Sequence, residues 1–282
     1  MAQEKENVVL AGSGDIAKYL AEEFVRDGKY HVSVISRTDR EFFHQPGMSF
    51  HKVDEYTTGK IVPVLDSRPT RALISTLQSD KAEFYSSAHE AMLSACYRSK
   101  TCKRLIPSDF LGNLRDFGWV PRGNCQIRKA FRALLAQQSA IQWTFVNEGW
   151  LADYFVQPPD GSSSYVHPFP AGWPIDLEAR QIRIAGTGNE PVGWTAARDM
   201  AQAIVQLMRH DEWPAYTFVF GEIGCWNEAV EKVERFYGVK LEVWINIFVF
   251  MRYRIYTLMI WTAQVPLKRI STSSSLPNRG QG

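Results

Sequence analysis

Apolar and polar positions along this chain follow two periods, and the switch between them marks the first elements. Val8-Val9-Leu10-Ala11 is an unbroken apolar run, the pattern of a strand buried on both faces. From Ile16 the period becomes helical. Ile16, Leu20 and Phe24 form one i, i+4 row and Ala17, Ala21 and Val25 the adjacent one, while Lys18, Glu22, Glu23 and Arg26 fall elsewhere. Gly28 suits a helix C-cap, and a second strand runs from Tyr30 to Ser36.

The alternation continues. Arg71 to Leu77 reads as a buried strand, and Asp80 to Ser99 as a helix with Phe84, Ala88, Ala91, Met92 and Ala95 on its apolar side. A short strand at Arg104 to Pro107, a helix over Cys125 to Gln138 and a strand at Ile141 to Val146 follow. Strands and helices in this order predict an α/β fold, a Rossmann-type doubly wound parallel sheet with right-handed crossovers. Ligands of such sheets bind at the carboxyl ends of the strands. Those ends gather Gly12, Arg37, Ser75 to Gln78, Ser108, Asp109 and Asn147 to Trp150 around one cleft.

After Phe155 the pattern changes. Gln157 to Pro174 is rich in Pro, Gly and Ser and reads as a long loop. A strand at Gln181 to Ala185, a turn at Gly186-Thr187-Gly188-Asn189 and helices over Thr195 to Arg209 and Asn227 to Tyr237 follow, the last ended by Gly238. Val243 to Val265 is long and apolar, with Arg252 and Arg254 at its middle. The segment is open to four readings: a buried terminal helix, an interfacial or oligomer-facing helix, a membrane span, or an atypical C-terminus. Central charges are costly in a bilayer, so no span is expected. The expected organisation is a dinucleotide-binding domain over 1–156, a smaller C-terminal substrate lobe with its helices over 157–268, interleaved with the first, and a disordered tail over 269–282.

Composition narrows the class. The 282 residues are 45% hydrophobic and 22% charged, with a net charge of +2, so nothing draws the chain to nucleic acid. Cys96, Cys102, Cys125 and Cys225 have neither metal spacing nor a disulfide framework, and the six histidines form no i, i+4 pair, so no metal is expected. Met1 to Glu6 is short and charged, unlike a signal peptide, and a reduced, cytoplasmic setting as monomer or homodimer is expected.

The candidate chemistry begins at Gly12-Ser13-Gly14-Asp15-Ile16-Ala17, a G-x-G-x-x-A turn between strand and helix. Gly12 permits the tight turn, Gly14 lets a pyrophosphate approach the backbone, and Ala17 lets helix and strand pack closely. The helix N-terminus would hold the phosphate charge. Arg37 stands at the end of the second strand, where an acidic residue would favour NAD(H). Its guanidinium suits a 2′-phosphate, so NADP(H) is the expected cofactor, with Thr76 and Leu77 after the next strand also in contact. Tyr56 and Lys60 match a Y-x-x-x-K pattern, but they lie among poor helix formers and read as chance. Ser108 and Asp109 either cap a turn or touch substrate. The aromatics Trp150, Tyr154, Phe155, Tyr165, Phe169, Trp173 and Trp194 either pack a lobe or line a pocket for a flat substrate.

Together the glycine turn, Arg37, Ile106-Pro107-Ser108-Asp109-Phe110 and Trp143 through Phe155 resemble the NmrA-like and isoflavone reductase-like atypical short-chain dehydrogenases over about residues 7 to 240. That resemblance implies a catalytic lysine on the helix after the P-S-E/D-F segment, and counting back from Trp143 puts it at Lys129. It also implies a substrate loop built from Asn147, Gly149, Trp150 and Tyr154, with Ser108 and Asp109 nearby. The chain departs from the pattern in its missing last glycine and in a single shifted arginine, Arg132. By its residues alone Lys129 is either a helix-surface lysine, a ribose anchor or a proton carrier. The implied activity is NADPH-dependent reduction of a small aromatic or polyketide-like metabolite in secondary metabolism. A non-catalytic NADP(H) sensor and an isomerase or cyclase are the alternatives.

Overall fold

A computed structural model describes residues 5–79, 81–117, 123–156, 164–166 and 172–246. Its centre is a six-stranded parallel sheet: β1 (Glu6–Ala11), β2 (Tyr30–Ser36), β3 (Met48–Lys52), β4 (Thr70–Ser75), β5 (Arg104–Ile106) and β6 (Gln142–Trp143), in the order β3-β2-β1-β4-β5-β6. The order reverses between β1 and β4, where a ligand crevice opens in such folds. The helices between strands are α1 (Asp15–Asp27), α2 (Thr58–Leu65), α3 (Ala82–Arg98), the short α4 (Leu114–Phe117) and α5 (Gly123–Ala136). The apolar run of β1 serves both faces. Val8 and Leu10 join a core containing Leu20 and Phe24 of α1, whereas Val9 and Ala11 join one containing Ile61, Tyr85, Met92 and Phe131. The α/β, doubly wound expectation holds.

Further along come β7 (Phe145–Asn147), β8 (Trp150–Leu151), β9 (Ile175–Asp176), β10 (Gln181–Ala185), β11 (Val192–Thr195), α6 (Ala197–Leu207), β12 (Tyr216–Phe218), β13 (Glu222–Gly224), α7 (Trp226–Tyr237) and β14 (Glu242–Asn246). The chain divides into two compact units. One comprises Met1–Ala171 with Pro191–Gly224, the other Gly172–Glu190 with Cys225–Gly282. In the first, β7 pairs with β12, and β11 lies between β8 and β13. In the second, β10 pairs in parallel with β14 and antiparallel with β9.

Several sequence expectations change. β3 and α2 fill the stretch after Arg37 that the sequence pattern left without elements. α2 forms despite Gly59 and Pro63 because Ile61, Val64 and Leu65 bury its apolar face, a tertiary gain that overrides propensity. Tyr56 lies before this helix and is buried, while Lys60 pairs with Asp54 and Glu55, so the Y-x-x-x-K match is not one helical face. The strand expected at Ile141 to Val146 breaks at Thr144. There the backbone N–H still bonds Leu105 O at 3.3 Å, but the hydroxyl meets Thr217 Oγ1 at 2.8 Å, and the chain leaves the main sheet. Glu23, placed on the polar face of α1, is buried and paired with Arg198 at 2.6 Å. Val243 opens no helix: Val243 to Asn246 is strand, its β-branched and aromatic residues paired with β10. Residues 247–265, Phe169 and the expected tail at 269–282 lie outside the described residues. Among the described residues no helix is long and apolar enough to cross a membrane.

Candidate functional site

The glycine turn is built by neighbours that leave it no alternative. Gly12 has φ +113°, and a Cβ there would stand 2.6 Å from Thr76 Oγ1 and 3.3 Å from Leu77 Cδ2. Gly12 N donates to Ile35 O at 2.9 Å, and Thr76 N donates to Ala11 O at 2.8 Å. Gly12, Thr76 and Leu77 therefore meet, as expected of residues at the ends of β1 and β4. The Ser13 hydroxyl is tied to the end of β2, 2.8 Å from Ser36 Oγ and donating to Thr38 O at 3.0 Å.

Gly14 differs from Gly12. It is exposed, and a Cβ there would meet no atom within 4 Å. It is the N-cap of α1 and offers no side chain to the first-turn N–H groups. Asp15 is turned aside into a 3.0 Å pair with Lys18, and Ile16 is half-buried. An open helix N-terminus of this kind fits a dinucleotide pyrophosphate, with Gly12 to Ile16 as its cradle.

Arg37 is exposed at the end of β2, its guanidinium 4.7 Å from the centre of the Phe84 ring. That stacking fixes one face of the guanidinium plane and leaves its edge for an anion. Arg37 also lines an open cleft of about 920 Å³ with His51, Lys52 and Lys60. Burial holds His51 below its ordinary value, so the cationic character comes from the arginine and the lysines.

A second group of residues lies where β5 and β7 end. Ser108 is fixed by three partners from two helices. Tyr85 Oη donates to its carbonyl at 3.0 Å, Arg128 Nε donates to the same oxygen at 3.0 Å, and Ser108 N donates to His89 Nε2 at 3.2 Å. With Nε2 accepting, His89 carries its proton on Nδ1 and donates to Tyr85 O at 2.8 Å. Burial lowers His89 to about 4, so it stays neutral, stacked on Tyr85 at 3.9 Å. Both residues share the inward face of α3 with Ala88, Met92 and Ala95, which the sequence pattern placed there, while Phe84 and Ala91, placed there too, are only half-buried.

Asp109 is 2% exposed and ionically paired with two arginines, Arg128 Nε at 3.1 Å and Arg132 Nη1 at 3.9 Å. The Arg128 N–H bonds Ser108 O, so neither Asp109 oxygen accepts a directed hydrogen bond. Burial raises the Asp109 carboxyl to about 6, against the pull of Arg128 and Arg132. Lys129, between these arginines in sequence, is exposed on α5.

The loop after β7 completes the group. Asn147 is fully buried, and neither of its amide atoms has a hydrogen-bond partner. Glu148 is buried too, its Oε2 unpartnered and its carboxyl pushed well up, first by burial and then by Asp109, against Arg128. Thr195 Oγ1 donates to Glu148 O at 2.7 Å. Gly149 has φ +75°, and a Cβ there would collide with the Gly193 carbonyl. Trp150 pairs with Trp194 across β8 and β11, and Trp194 lies 5.8 Å from Phe155. Tyr154, half-buried, is raised to about 12, first by burial, then by Glu148, Asp153 and Asp15. Tyr165 packs on Tyr19 at 4.9 Å, and within the second unit Trp173 packs on Trp226 at 5.6 Å.

Sequence reasoning named Arg132 only as the shifted arginine of the family pattern and placed Glu148 at the cleft without a role, and it gave no place in the site to Arg128, Tyr85 or His89. The i, i+4 spacing of each pair, Arg128 with Arg132 and Tyr85 with His89, was the available signal.

No family model matches the chain. "Oxidoreductase swnR" of Arthroderma benhamiae is 34% identical over 232 residues, 82% of this chain and 73% of that protein. "Oxidoreductase swnR" of Metarhizium robertsii is 34% identical over 225 residues, 79% and 71%. Among solved structures, AtPrR2 with NADP+ and (+)-pinoresinol has a TM-score of 0.61 at 16% identity, over 86% of this chain and 79% of that one. A UDP-glucose 4-epimerase of Stenotrophomonas maltophila with bound NAD has 0.64 at 15%, over 86% of each chain. At such identities the structures show a shared fold, which reductases and epimerases both use. The sequence relatives go further: with 34% identity over 82% of its length, this chain belongs with the swnR oxidoreductases.

Proposed function

We propose that this oxidoreductase is an NADPH-dependent reductase of a small aromatic or polyketide-like molecule of secondary metabolism. The observation that carries the reading is the open face of Gly14 at an uncapped helix N-terminus, with Arg37 exposed at the end of the next strand. Gly12 to Ile16, Thr76 and Leu77 would hold the pyrophosphate half of the cofactor and Arg37 its 2′-phosphate. When bound, the dihydronicotinamide supplies hydride. Of the substrate candidates, Gly149, Trp150 and Tyr154 are partly accessible and suit direct contact, while Ser108, Asp109 and Asn147 are buried and suit shaping the floor beneath. Solvent exposure favours ribose anchoring over proton transfer for Lys129, because a proton-carrying lysine needs partial desolvation.

The test is calorimetric titration with NADPH and NADH, followed by NADPH oxidation against aromatic ketones and quinones. Tight NADPH binding with turnover supports the reading. NADPH binding with no turnover of any ketone or quinone favours a sensor, and product isomerised without net NADPH loss favours an isomerase.

A further inference from the structure

Arg37, the contact assigned to the 2′-phosphate, is held from two directions. Its backbone is fixed on both sides. Ser36 Oγ lies 2.8 Å from Ser13 Oγ and accepts from Thr38 N at 3.2 Å, while Ser13 Oγ donates to Thr38 O at 3.0 Å. Val53 N donates to Ser36 O at 3.0 Å, which ties the same stretch to the end of β3. Ser13 of the glycine turn therefore sets the path of the chain that carries Arg37.

The side chain is held by a ring. Among the described residues no carboxylate pairs with Arg37, and its guanidinium carbon stands 4.7 Å from the centre of the Phe84 ring. Phe84 belongs to the first turn of α3 and is half-buried, packed on the core that contains Tyr56, Ile61 and Leu77. Tyr56 is itself buried and meets Phe84 edge-to-face, with centroids 6.3 Å apart and planes at 75°. The tyrosine of the Y-x-x-x-K match thus braces the ring on which the arginine rests. Its lysine does something else: Lys60 is paired with Asp54 and Glu55, and a lysine is a point charge whose direction matters little. Arg37 carries a planar fork, and its worth to a phosphate depends on how the fork is aimed.

We propose that Phe84 determines the preference of this site for the 2′-phosphorylated nucleotide. It acts through Arg37, holding the guanidinium plane so that its N–H edge already faces the phosphate position before the nucleotide arrives. The inference rests on the NADPH reading and on Arg37 as the 2′-phosphate contact. A long side chain fixed in advance has less rotamer freedom to lose when a ligand engages it, so part of the affinity for the phosphate is stored in the stack. NADH carries a hydroxyl at that place and draws nothing from an aimed guanidinium. Phe84 reaches the phosphate only through Arg37 and is a positioning residue.

The experiment uses the two nucleotides and no substrate. The full chain is titrated calorimetrically with NADPH and with NADH. Phe84→Leu removes the ring but keeps an apolar side chain on the core. It should weaken NADPH binding about threefold or more, the scale of a solvent-facing cation–π contact, and leave NADH binding unchanged. Phe84→Tyr keeps the ring and should bind NADPH as wild type does. In an Arg37→Ala background Phe84→Leu should make no further difference to NADPH, because the residue through which the ring acts is gone. Phe84→Met, apolar and adaptable but without a ring, replaces Phe84→Leu where that variant fails to fold. A smaller loss of NADPH affinity in the folded ringless variant, an equal loss for NADH, a loss as large in Phe84→Tyr, or one that persists without Arg37 would overturn the proposal. Equal binding of NADPH and NADH by wild type would instead overturn the NADPH reading on which it rests.

Discussion

The glycine turn after β1 and the polar cluster after β5 and β7 stand at the same end of the first unit and are built in opposite ways. The turn is held by backbone hydrogen bonds and leaves its functional face empty: Gly14 meets nothing, and Arg37 rests on one aromatic ring. The cluster is held by side chains from α3, α5 and two loops, nearly all of them buried. Ligand chemistry at the turn is separable from folding, whereas in the cluster the same side chains carry both.

That contrast can be broken by experiment. The largest effect is expected at Arg128. Arg128→Met removes the nearer partner of a buried carboxylate, and losing one member of a buried pair costs about 3–5 kcal/mol. Urea denaturation should show a much lower midpoint, and an unchanged midpoint would put the cluster on the footing of the turn.

Next is the pH dependence of wild-type stability. Asp109 ionises near 3.8 in an unfolded chain and about 6 here, so the folded state binds its proton more tightly. Its stabilising contribution is full below 3.8 and is lost as pH rises through 6, by up to about 3 kcal/mol on the usual 1.36 kcal/mol per unit. Glu148, raised in the same direction, adds a loss of the same sign. Denaturation at pH 5 and pH 8 should show about 1.4 kcal/mol of this fall, the part that lies above pH 5, and Asp109→Asn should flatten it. A stability that rises over this window would remove the buried-carboxyl account.

Gly14→Val tests the other side. A branched side chain in the open pyrophosphate position should weaken NADPH binding by about a hundredfold, roughly 2.7 kcal/mol, with circular dichroism and melting nearly unchanged. An unfolded variant would end the contrast. Arg37→Asp should cost NADPH roughly 1.5–3 kcal/mol and turn preference toward NADH by more than tenfold, read by calorimetry. Smallest is Lys129→Ala. As a ribose anchor, its loss should raise KM for NADPH by several-fold and leave turnover within about twofold. Turnover slowed by roughly a hundredfold or more would return proton transfer to the lysine.

The two regions also differ in how legible they were. β1, the glycine turn, α1 and β2 follow each other within Glu6–Ser36, so hydrophobic period and glycine spacing were enough to read them. The cluster joins residues far apart in sequence: Ser108, Asp109 and Asn147 were read at strand ends, but their neighbours Tyr85, His89, Arg128 and Arg132 are polar residues on helix faces that pattern reading counts as exposed. The Tyr85–His89 pair was passed over because a buried neutral histidine looks like a surface one until Ser108 N and Tyr85 O are seen to satisfy it. The lysine on α5 illustrates the limit of counting along a helix. One residue is about 100° of rotation, so Lys129 faces water while Arg128 beside it faces Asp109. The strand at Val243 failed for another reason: an apolar run does not reveal its own period where its partner, β10, is distant in sequence.

The contact of Gly149 with Gly193 has a consequence for how this chain could be turned to other substrates. Two main chains meet there with no side chain between them, and Thr195 and Val219 add bonds to the same loop through its carbonyls. The path of the loop is therefore written in backbone, independent of the residues it displays at 150 and 155. Those positions can be exchanged to suit a new ligand without moving the frame that carries them, provided that both glycines stay.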